Sequence, residues 1–246
     1  MVDPIVIPEE VSHVYGGTAG AQAGAKMVET FVLWGGLNAE DTVLDIGCGP
    51  GRMAIGIGER FGYANPSYVG FDVRRKDVEF CQDQIGAAHP NFRFEHVNAQ
   101  SGHYNPKGTM DARAVRFPVE DGSIDFCFAT SVFTHMFAAE TAYYFEEIAR
   151  VTRGRSFTTW FVIEDGFDAH VEAGGNPRFT FAQRNEDGTR DEHADRPGDA
   201  TAHTWEAVQR YHADAGLEIV DFHRGAWSRR TTDYRHSQDV VVARKR

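Results

Sequence analysis

Short apolar runs alternate along the chain with longer segments in which apolar and polar residues recur with a helical period. The apolar runs predict strands near 42–46, 67–71, 92–97, 124–129, 156–163, 217–222 and 238–243. The segments around them predict helices near 19–34, 52–62, 75–87, 138–151 and 204–215. Such an alternation is typical of a parallel sheet with helices on both faces. We therefore expect one α/β domain over residues 1–246, with a Rossmann-like, doubly wound sheet.

Two segments depart from this pattern. Residues 165–203 contain many glycines and prolines, and a connection of that length in a compact domain is usually a binding loop, a lid or disordered. We interpret this segment as a lid or substrate loop inserted after the fifth strand, with disorder as the alternative. Residues 1–36 are expected to form an entry segment that covers the site.

The first predicted strand runs directly into three alternating glycines. The sequence VLDIGCGPG at 43–51 places Asp45 before Gly47, Gly49 and Gly51. Glycines permit a sharp turn and leave bare backbone where a ligand approaches. No Lys-Ser or Lys-Thr follows the last glycine, which excludes a phosphate-binding P-loop. Because Asp45 would also repel a pyrophosphate, a ligand with positive charge near this point fits better.

A second acidic residue ends the next predicted strand. Asp72 closes the sequence YVGFD at 68–72, about 20 residues after the glycines. At this spacing, an acidic residue accepts hydrogen bonds from ribose hydroxyls in nucleotide-binding folds. The two features together predict a ligand that contains a nucleoside.

These motifs resemble those of the class I S-adenosylmethionine (SAM)-dependent methyltransferases, over most of the chain. VLDIGCGPG is similar to the first motif of that family and YVGFD to the second, while FEHVNA at 94–99 and EDGSIDFCFATSVFTH at 120–135 are similar to the third motif and the fourth-strand region. The resemblance implies SAM as cofactor and a mostly parallel sheet whose last strand is reversed. It also implies enzymatic methyl transfer.

The resemblance further implies roles for single residues. The glycine loop with Asp45 would hold the methionine part of SAM, Asp72 the ribose, and Asn98 with Ala99 the adenine. Many relatives have Asp where this chain has Asn98, so its contact with the adenine stays open beside the alternative of a simple turn residue. Two further cofactor contacts are expected at Thr130 and Arg52. For Arg52, a partner of the cofactor's carboxylate and a surface salt bridge are the two alternatives.

Methyl transfer to a hydroxyl needs a base near the carboxyl ends of the strands, where open α/β sheets bind their ligands. His135 follows the predicted fourth strand, and an imidazole titrates near neutral pH. We predict that His135 is the general base; the alternative is a histidine that satisfies a loop carbonyl or begins the next helix. Glu164 and Asp165, after the fifth strand, are competitors for this role.

The acceptor is predicted from a further resemblance. Four stretches look like a bacterial branch of the family that is associated with glycan and cell-surface sugar biosynthesis: YNPKG at 104–108, FPVEDGSIDF at 117–126, SVFTHM at 131–136 and GAWSRR at 225–230. The resemblance implies O-methylation of a sugar hydroxyl. Trp205 and Trp227 could stack on sugar faces, and Tyr15 could close over the site, with ordinary packing as the alternative for all three.

Other classes of function stay open at this point. The acceptor atom could be a carboxylate, nitrogen or carbon of a small metabolite, and a non-catalytic module that binds the cofactor is a further alternative. The net charge of −11 disfavours a nucleic-acid partner, because such binding depends mainly on Lys and Arg that neutralise phosphates.

Composition adds further expectations. Cys48, Cys81 and Cys127 are an odd set without C-x-x-C spacing, so neither a disulfide framework nor a zinc site is predicted. The sequence does not indicate a metal ion, and it leaves Mg²⁺ dependence and homodimer formation open. We find no signal peptide and no long apolar run, and therefore expect a cytoplasmic protein without a membrane span.

Overall fold

The structure is a computed structural model that describes residues 5–9, 11 and 17–246. Its helices are α1 Gly17–Thr30, α2 Arg52–Phe61, α3 Arg75–Cys81, α4 Ala138–Val151, α5 Phe167–Glu172 and α6 Trp205–Asp214. Its strands are β1 Thr42–Ile46, β2 Ser67–Asp72, β3 Phe92–His96, β4 Ile124–Ala129, β5 Thr152–Trp160, β6 Val162–Ile163, β7 Gln183–Arg184, β8 Arg190–Asp191, β9 Thr201–Thr204, β10 Leu217–His223 and β11 Asp239–Lys245. No described helix is both long enough and apolar enough to cross a bilayer.

Seven strands form the main sheet in the order β10-β11-β5-β4-β1-β2-β3. The five strands from β3 to β5 are parallel, and β11 runs antiparallel to both of its neighbours, β5 and β10. The predicted fold class, a doubly wound and mostly parallel sheet with a reversed last strand, is therefore confirmed. The chain proceeds outward from β1 in one direction and from β4 in the other. Such a switch point leaves a crevice at the carboxyl ends of β1 and β4.

The sheet is buried on both faces by aromatic side chains. On one face, Phe133 stacks on Trp160 at a ring-centroid distance of 4.5 Å. On the other face, Phe31 packs against Phe128 at 4.5 Å and against Phe157 at 4.8 Å. Strands that are covered on both faces are apolar at nearly every position, which is why their positions could be predicted from apolar runs.

Two glycines let α1 lie close against α2. A Cβ atom on Gly24 would lie 2.3 Å from the carbonyl oxygen of Arg52, and a Cβ atom on Gly56 would lie 3.0 Å from the carbonyl carbon of Gly24. This close approach places α1 beside the turn that precedes α2. Both α1 and α3 continue into short π-helical turns, at Phe31–Gly35 and Gln82–Gly86, which accounts for the longer helices predicted there.

Residues 165–203, called the insertion below, contain regular structure that the sequence pattern did not predict. Helix α5 lies in the insertion, and β7, β8 and β9 form a small four-stranded sheet with β6 in the order β6-β9-β8-β7. This part of the fold has its own apolar cluster, in which Phe161, Phe167 and Phe181 surround Trp227. Its role as a lid stays a prediction.

We expect Gly24→Ala to lower the free energy of unfolding by about 1–2 kcal/mol, because the new methyl group would overlap the Arg52 carbonyl. The better helix propensity of alanine, about 1 kcal/mol, does not offset so short a contact. Urea denaturation measures the difference. Gly102→Ala is the matched control, since a Cβ atom there would meet no atom within 4 Å. Equal stability of both variants would contradict the close packing of α1 on α2.

Candidate active site

A cavity of about 920 Å³, called the large cavity below, opens at the carboxyl ends of β1, β2 and β4. Its walls come from α1, the glycine loop after β1, the end of β2, the chain after β3 and β4, the insertion, and the loop before β11. This is the crevice expected from the strand order. The cavity is large enough for a small-molecule ligand.

The glycine loop has the backbone conformation that its sequence requires. Gly47, Gly49 and Gly51 all have positive φ angles, of 74°, 49° and 79°. A Cβ atom on Gly47 would lie 2.6 Å from Val132, and one on Gly51 would lie 2.8 Å from the sulfur of Cys81. At Gly49 the nearest such atom is 3.8 Å away. Gly47 and Gly51 therefore serve packing, whereas Gly49 presents bare backbone to the cavity.

Asp72 joins this loop to the end of β2. Its carboxylate accepts a hydrogen bond of 2.7 Å from the backbone N–H of Gly49 and one of 2.8 Å from that of Arg74. Burial raises the pKa of Asp72, and the backbone hydrogen bonds oppose this effect. Asp72 lines the large cavity, and each carboxylate oxygen can accept a further hydrogen bond there.

Asp45 lies beneath the loop rather than on the cavity wall. It is 1 % exposed and accepts a hydrogen bond from the hydroxyl of Tyr68, while its Oδ1 has no partner among the described residues. Burial raises the pKa of Asp45 to about 7.

Asp77 is a buried carboxylate of the cavity wall that the sequence analysis missed. It is fully buried, and its oxygens have no hydrogen-bond donor within the described part of the chain, although Arg74 Nη1 lies 3.0 Å away as an ion-pair partner. Burial raises the pKa of Asp77 to about 6. No sequence signal identified it, because Asp77 belongs to a polar run that resembles an ordinary exposed helix start.

The structure places only one of the two expected adenine contacts on the cavity wall. Ala99 lines the large cavity, but Asn98 is exposed and lies outside it. The side chain of Asn98 donates to Thr109 Oγ1 at 3.1 Å and accepts from Asn105 Nδ2 at 3.1 Å. Its bonds are thus those of a turn residue, the alternative interpretation from the sequence. The side chain is engaged by the loop that follows β3.

His135 also lines the large cavity, in a 3₁₀ turn after β4. Its Nδ1 is 2.9 Å from the carbonyl oxygen of Gly198. Because a carbonyl can only accept, Nδ1 must carry the proton, and Nε2 then has a free lone pair. The hydroxyl of Tyr104 lies 3.2 Å from Nε2. Burial lowers the pKa of His135, so its neutral form prevails at pH 7.

A second histidine stands beside the first. The ring of His103 stacks on that of His135 at a centroid distance of 5.5 Å, and its Nδ1 is 3.2 Å from Oδ1 of Asp199 in the insertion. Sequence reasoning did not single out His103 or Asp199. The sequence YNPKG indicated this loop, but nothing along the chain indicates that Asp199 reaches it.

A network of hydrogen bonds connects the residue after β4 with the residue before β11. Ser131 has a φ angle of 58°, and its N–H donates to Thr159 Oγ1 at 2.8 Å. The hydroxyls of Ser131 and Thr159 both donate to Gln238 Oε1, at 3.0 and 2.7 Å. Residues held in this conformation without being glycine often mark functional sites. Thr130, the predicted cofactor contact, is buried beside this network and lines the cavity.

Arg52 also lines the large cavity, at the start of α2. His236 lies near it, since the positive charge of Arg52 adds to burial in lowering the pKa of His236. Tyr15 lies outside the described residues.

The other predicted substrate residues are not brought to the large cavity. Glu164, Asp165 and Trp205 line a separate cavity of about 620 Å³, where Glu164 forms two hydrogen bonds of 2.7 Å with Arg224. Trp227 is 2 % exposed and donates to Asp239 Oδ2 at 2.7 Å, within the apolar cluster beside the insertion. Core packing, the alternative interpretation for Trp227, describes its position.

The described residues contain no group of three or more His, Cys, Asp or Glu side chains arranged to hold a metal ion. Cys48, Cys81 and Cys127 are buried free thiols.

The chain is similar to known proteins in sequence and in fold. Residues 43–154 match the family model of a methyltransferase domain. The magnesium protoporphyrin IX methyltransferase of Synechocystis PCC 6803, crystallised with S-adenosylhomocysteine, has 16% identity and a TM-score of 0.55, with 92% of this chain and 84% of that chain covered.

Two further solved structures share the fold. The PH0226 protein of Pyrococcus horikoshii OT3 has 14% identity and a TM-score of 0.62, with 97% and 98% of the two chains covered. The [4+2]-cyclase SpnF has 18% identity and a TM-score of 0.57, with 91% of this chain and 81% of that chain covered. At these identities the structures show a common fold only. Residues 43–154 thus match a methyltransferase domain, and the main sheet has the class I methyltransferase fold.

Proposed function

We propose that the protein is a SAM-dependent methyltransferase that methylates a hydroxyl of a sugar or glycan. The observation that carries the proposal is the hydrogen bond from the Gly49 amide to Asp72, on the wall of the same cavity that is lined by His135, whose Nδ1 is 2.9 Å from the Gly198 carbonyl oxygen. The family match to a methyltransferase domain supports the reaction type. The solved relative that contains S-adenosylhomocysteine supports the donor.

The donor would bind along the glycine loop. Asp72 would accept hydrogen bonds from the ribose, and the bare backbone at Gly49 would contact the methionine part. Arg52 would pair with the donor's carboxylate, while Ala99 would contact the adenine and Thr130 the neighbouring part of the donor. Asn98 is left out of this proposal, because its side chain is engaged in the loop outside the cavity.

The acceptor would bind at the part of the cavity that His135 lines. When bound, SAM supplies a methyl group on a positively charged sulfur, so that the new O–C bond forms as the C–S bond breaks. Nε2 of His135 takes the proton of the acceptor hydroxyl, and the Gly198 carbonyl keeps the other ring nitrogen protonated throughout. The hydroxyl of Tyr104 lies 3.2 Å from Nε2. It would either leave Nε2 when the acceptor hydroxyl binds there or form a hydrogen bond to that hydroxyl.

A sugar acceptor is supported by the motifs of the glycan branch and by the composition of the cavity wall. Polar groups at His103, Tyr104 and Gln238 can hydrogen-bond sugar hydroxyls, and Phe161 with Phe179 can pack against the sugar's apolar face. Acceptors with another nucleophilic atom, and a module that only binds the donor, are the alternatives that an acceptor screen distinguishes. A cytoplasmic location and a homodimer stay predictions.

Gly49→Ala should weaken binding of SAM and S-adenosylhomocysteine at least about tenfold, because its methyl group would project into the path of the donor. Calorimetry on the purified chain measures this affinity. Gly122→Ala is the matched control: Gly122 also has a positive φ angle, of 60°, and a Cβ atom there would meet nothing within 4 Å. Both variants carry the same backbone strain, of about 1 kcal/mol. An unchanged affinity of Gly49→Ala would refute the proposed donor site.

His135→Gln should reduce turnover by a factor of about 10² to 10⁴, the usual contribution of a general base, with donor affinity retained. The assay incubates the enzyme with isotopically labelled SAM and a panel of sugars, nucleotide sugars and glycans, and detects methylated products by mass spectrometry. His89→Gln is the control. His89 stacks on Tyr63 and is not among the residues that line the large cavity. Normal turnover of His135→Gln would exclude His135 as the base. Donor binding without any product across the panel would favour a non-catalytic module.

A further inference from the structure

Two consecutive residues of the insertion contact two different histidines of the methyltransferase domain. The carbonyl oxygen of Gly198 is 2.9 Å from Nδ1 of His135, and Oδ1 of Asp199 is 3.2 Å from Nδ1 of His103. The two imidazole rings are nearly parallel, with an angle of 16° between them and 5.5 Å between their centres. The insertion therefore fixes both the ring that we assign as the base and the ring beside it.

Asp199 is itself held by two other side chains. Nη1 of Arg196 is 3.0 Å from its Oδ2, and Nε2 of His193 is 4.0 Å from the same atom. These contacts leave Oδ1 for His103. The carboxylate thus has a defined orientation at the edge of the cavity, although Asp199 belongs to an irregular part of the insertion.

The charged groups around His135 come from several elements. His103 and Tyr104 approach from the chain after β3, and Asp199 from the insertion. On the other sides, the carboxylates of Glu140 and Asp187 accept from the N–H groups of Phe137 and Ala138, and His203 bonds to the carbonyls of Phe133 and Met136. Burial lowers the pKa of His203 to about 4, so it stays neutral.

His103 and Asp199 act on His135 with opposite signs. A positive charge on His103 disfavours a proton on His135, whereas the Asp199 carboxylate favours one. Burial of His135 is the larger influence and also disfavours its charged form. Unit charges at such separations interact measurably even in a solvated environment.

We propose that Gly198, Asp199 and His103 are positioning residues for His135, through which the insertion fixes the tautomer of the base and sets the pH range in which it accepts a proton. This inference rests on the proposed function for its catalytic meaning. The coupling itself is a property of the protein without ligands, so it can be measured without knowing the acceptor.

The experiment is an NMR titration of the full chain labelled with ¹³C at histidine Cε1, in which His135→Gln assigns the signal of His135. The variant His103→Gln should raise the pKa of His135, because it removes a ring whose protonated form would repel a proton on His135. Asp199→Asn should lower the pKa of His135, because it removes an opposite charge. We expect each shift to be about half a pH unit or more. The matched controls are His89→Gln and Asp195→Asn, the latter an exposed acid of the insertion without a contact to either histidine.

Shifts of His135 in the same direction, or of the size seen in the controls, would overturn the proposal. If Asp199→Asn fails to fold, Arg196→Gln tests the same coupling, because loss of the guanidinium at Asp199 should raise the pKa of His135. Once an acceptor is found, the acid limb of kcat/KM must move with the pKa from NMR: upward in His103→Gln and downward in Asp199→Asn. A loss of turnover in His103→Gln as large as that in His135→Gln, with the pKa of His135 unchanged, would make His103 the base and also overturn the proposal.

The two proposals fail in different ways. A protein that binds no SAM, but whose His135 titrates with the expected opposite shifts, would lose the proposed function and keep the coupling. A protein that methylates a sugar, but whose His135 does not respond to His103 or Asp199, would keep the function and lose the coupling.

Discussion

The hydrogen bond from the Gly49 amide to the Asp72 carboxylate joins the ends of the two neighbouring strands β1 and β2. This hydrogen bond brings together two features that are separated in the sequence: the bare backbone of the glycine loop and the carboxylate of Asp72. A hydrogen bond to a charged acceptor is among the stronger ones in proteins, of the order of 1.5–3 kcal/mol. The loop can therefore keep three positive φ angles and stay in place with few side chains of its own. Gly49 and Asp72 both line the large cavity.

The central strands of the main sheet were predictable because β1, β2 and β4 are each buried on both faces. Burial on both faces produces a continuous run of apolar residues, such as Val43 and Leu44. In the intervening helices, apolar residues instead recur with a helical period. The small sheet of the insertion has no such signal. Its strands β7 and β8 have two residues each, and those of β7 are exposed. Their pairing depends on tertiary contacts, so no period along the chain could have indicated them.

The same distinction applies to the site. Gly49 and Asp72 could be found because turns and strand ends leave local sequence patterns, and His135 because it directly follows a strand. Asp77 and Asp199 could not be found from the sequence, because their positions on the cavity wall depend on which segments of the chain fold against them. Asn98 and Trp227 illustrate the converse. Their residue types fit a ligand, but a neighbouring turn engages Asn98, and the apolar cluster beside the insertion encloses Trp227.

The reversed direction of β11 has a consequence for how this fold can diversify. Because β11 runs against its neighbours, the chain enters it at the edge of the sheet where the parallel strands end, with Gln238 already at the cavity. The register of β11 is fixed further along, where the buried residues Val240, Val241 and Val242 lie opposite β5. Residues 231–235, which are half-buried or exposed, can therefore change in length and composition without disturbing the core. Changes there would alter the cavity wall at Arg235 at little cost in stability.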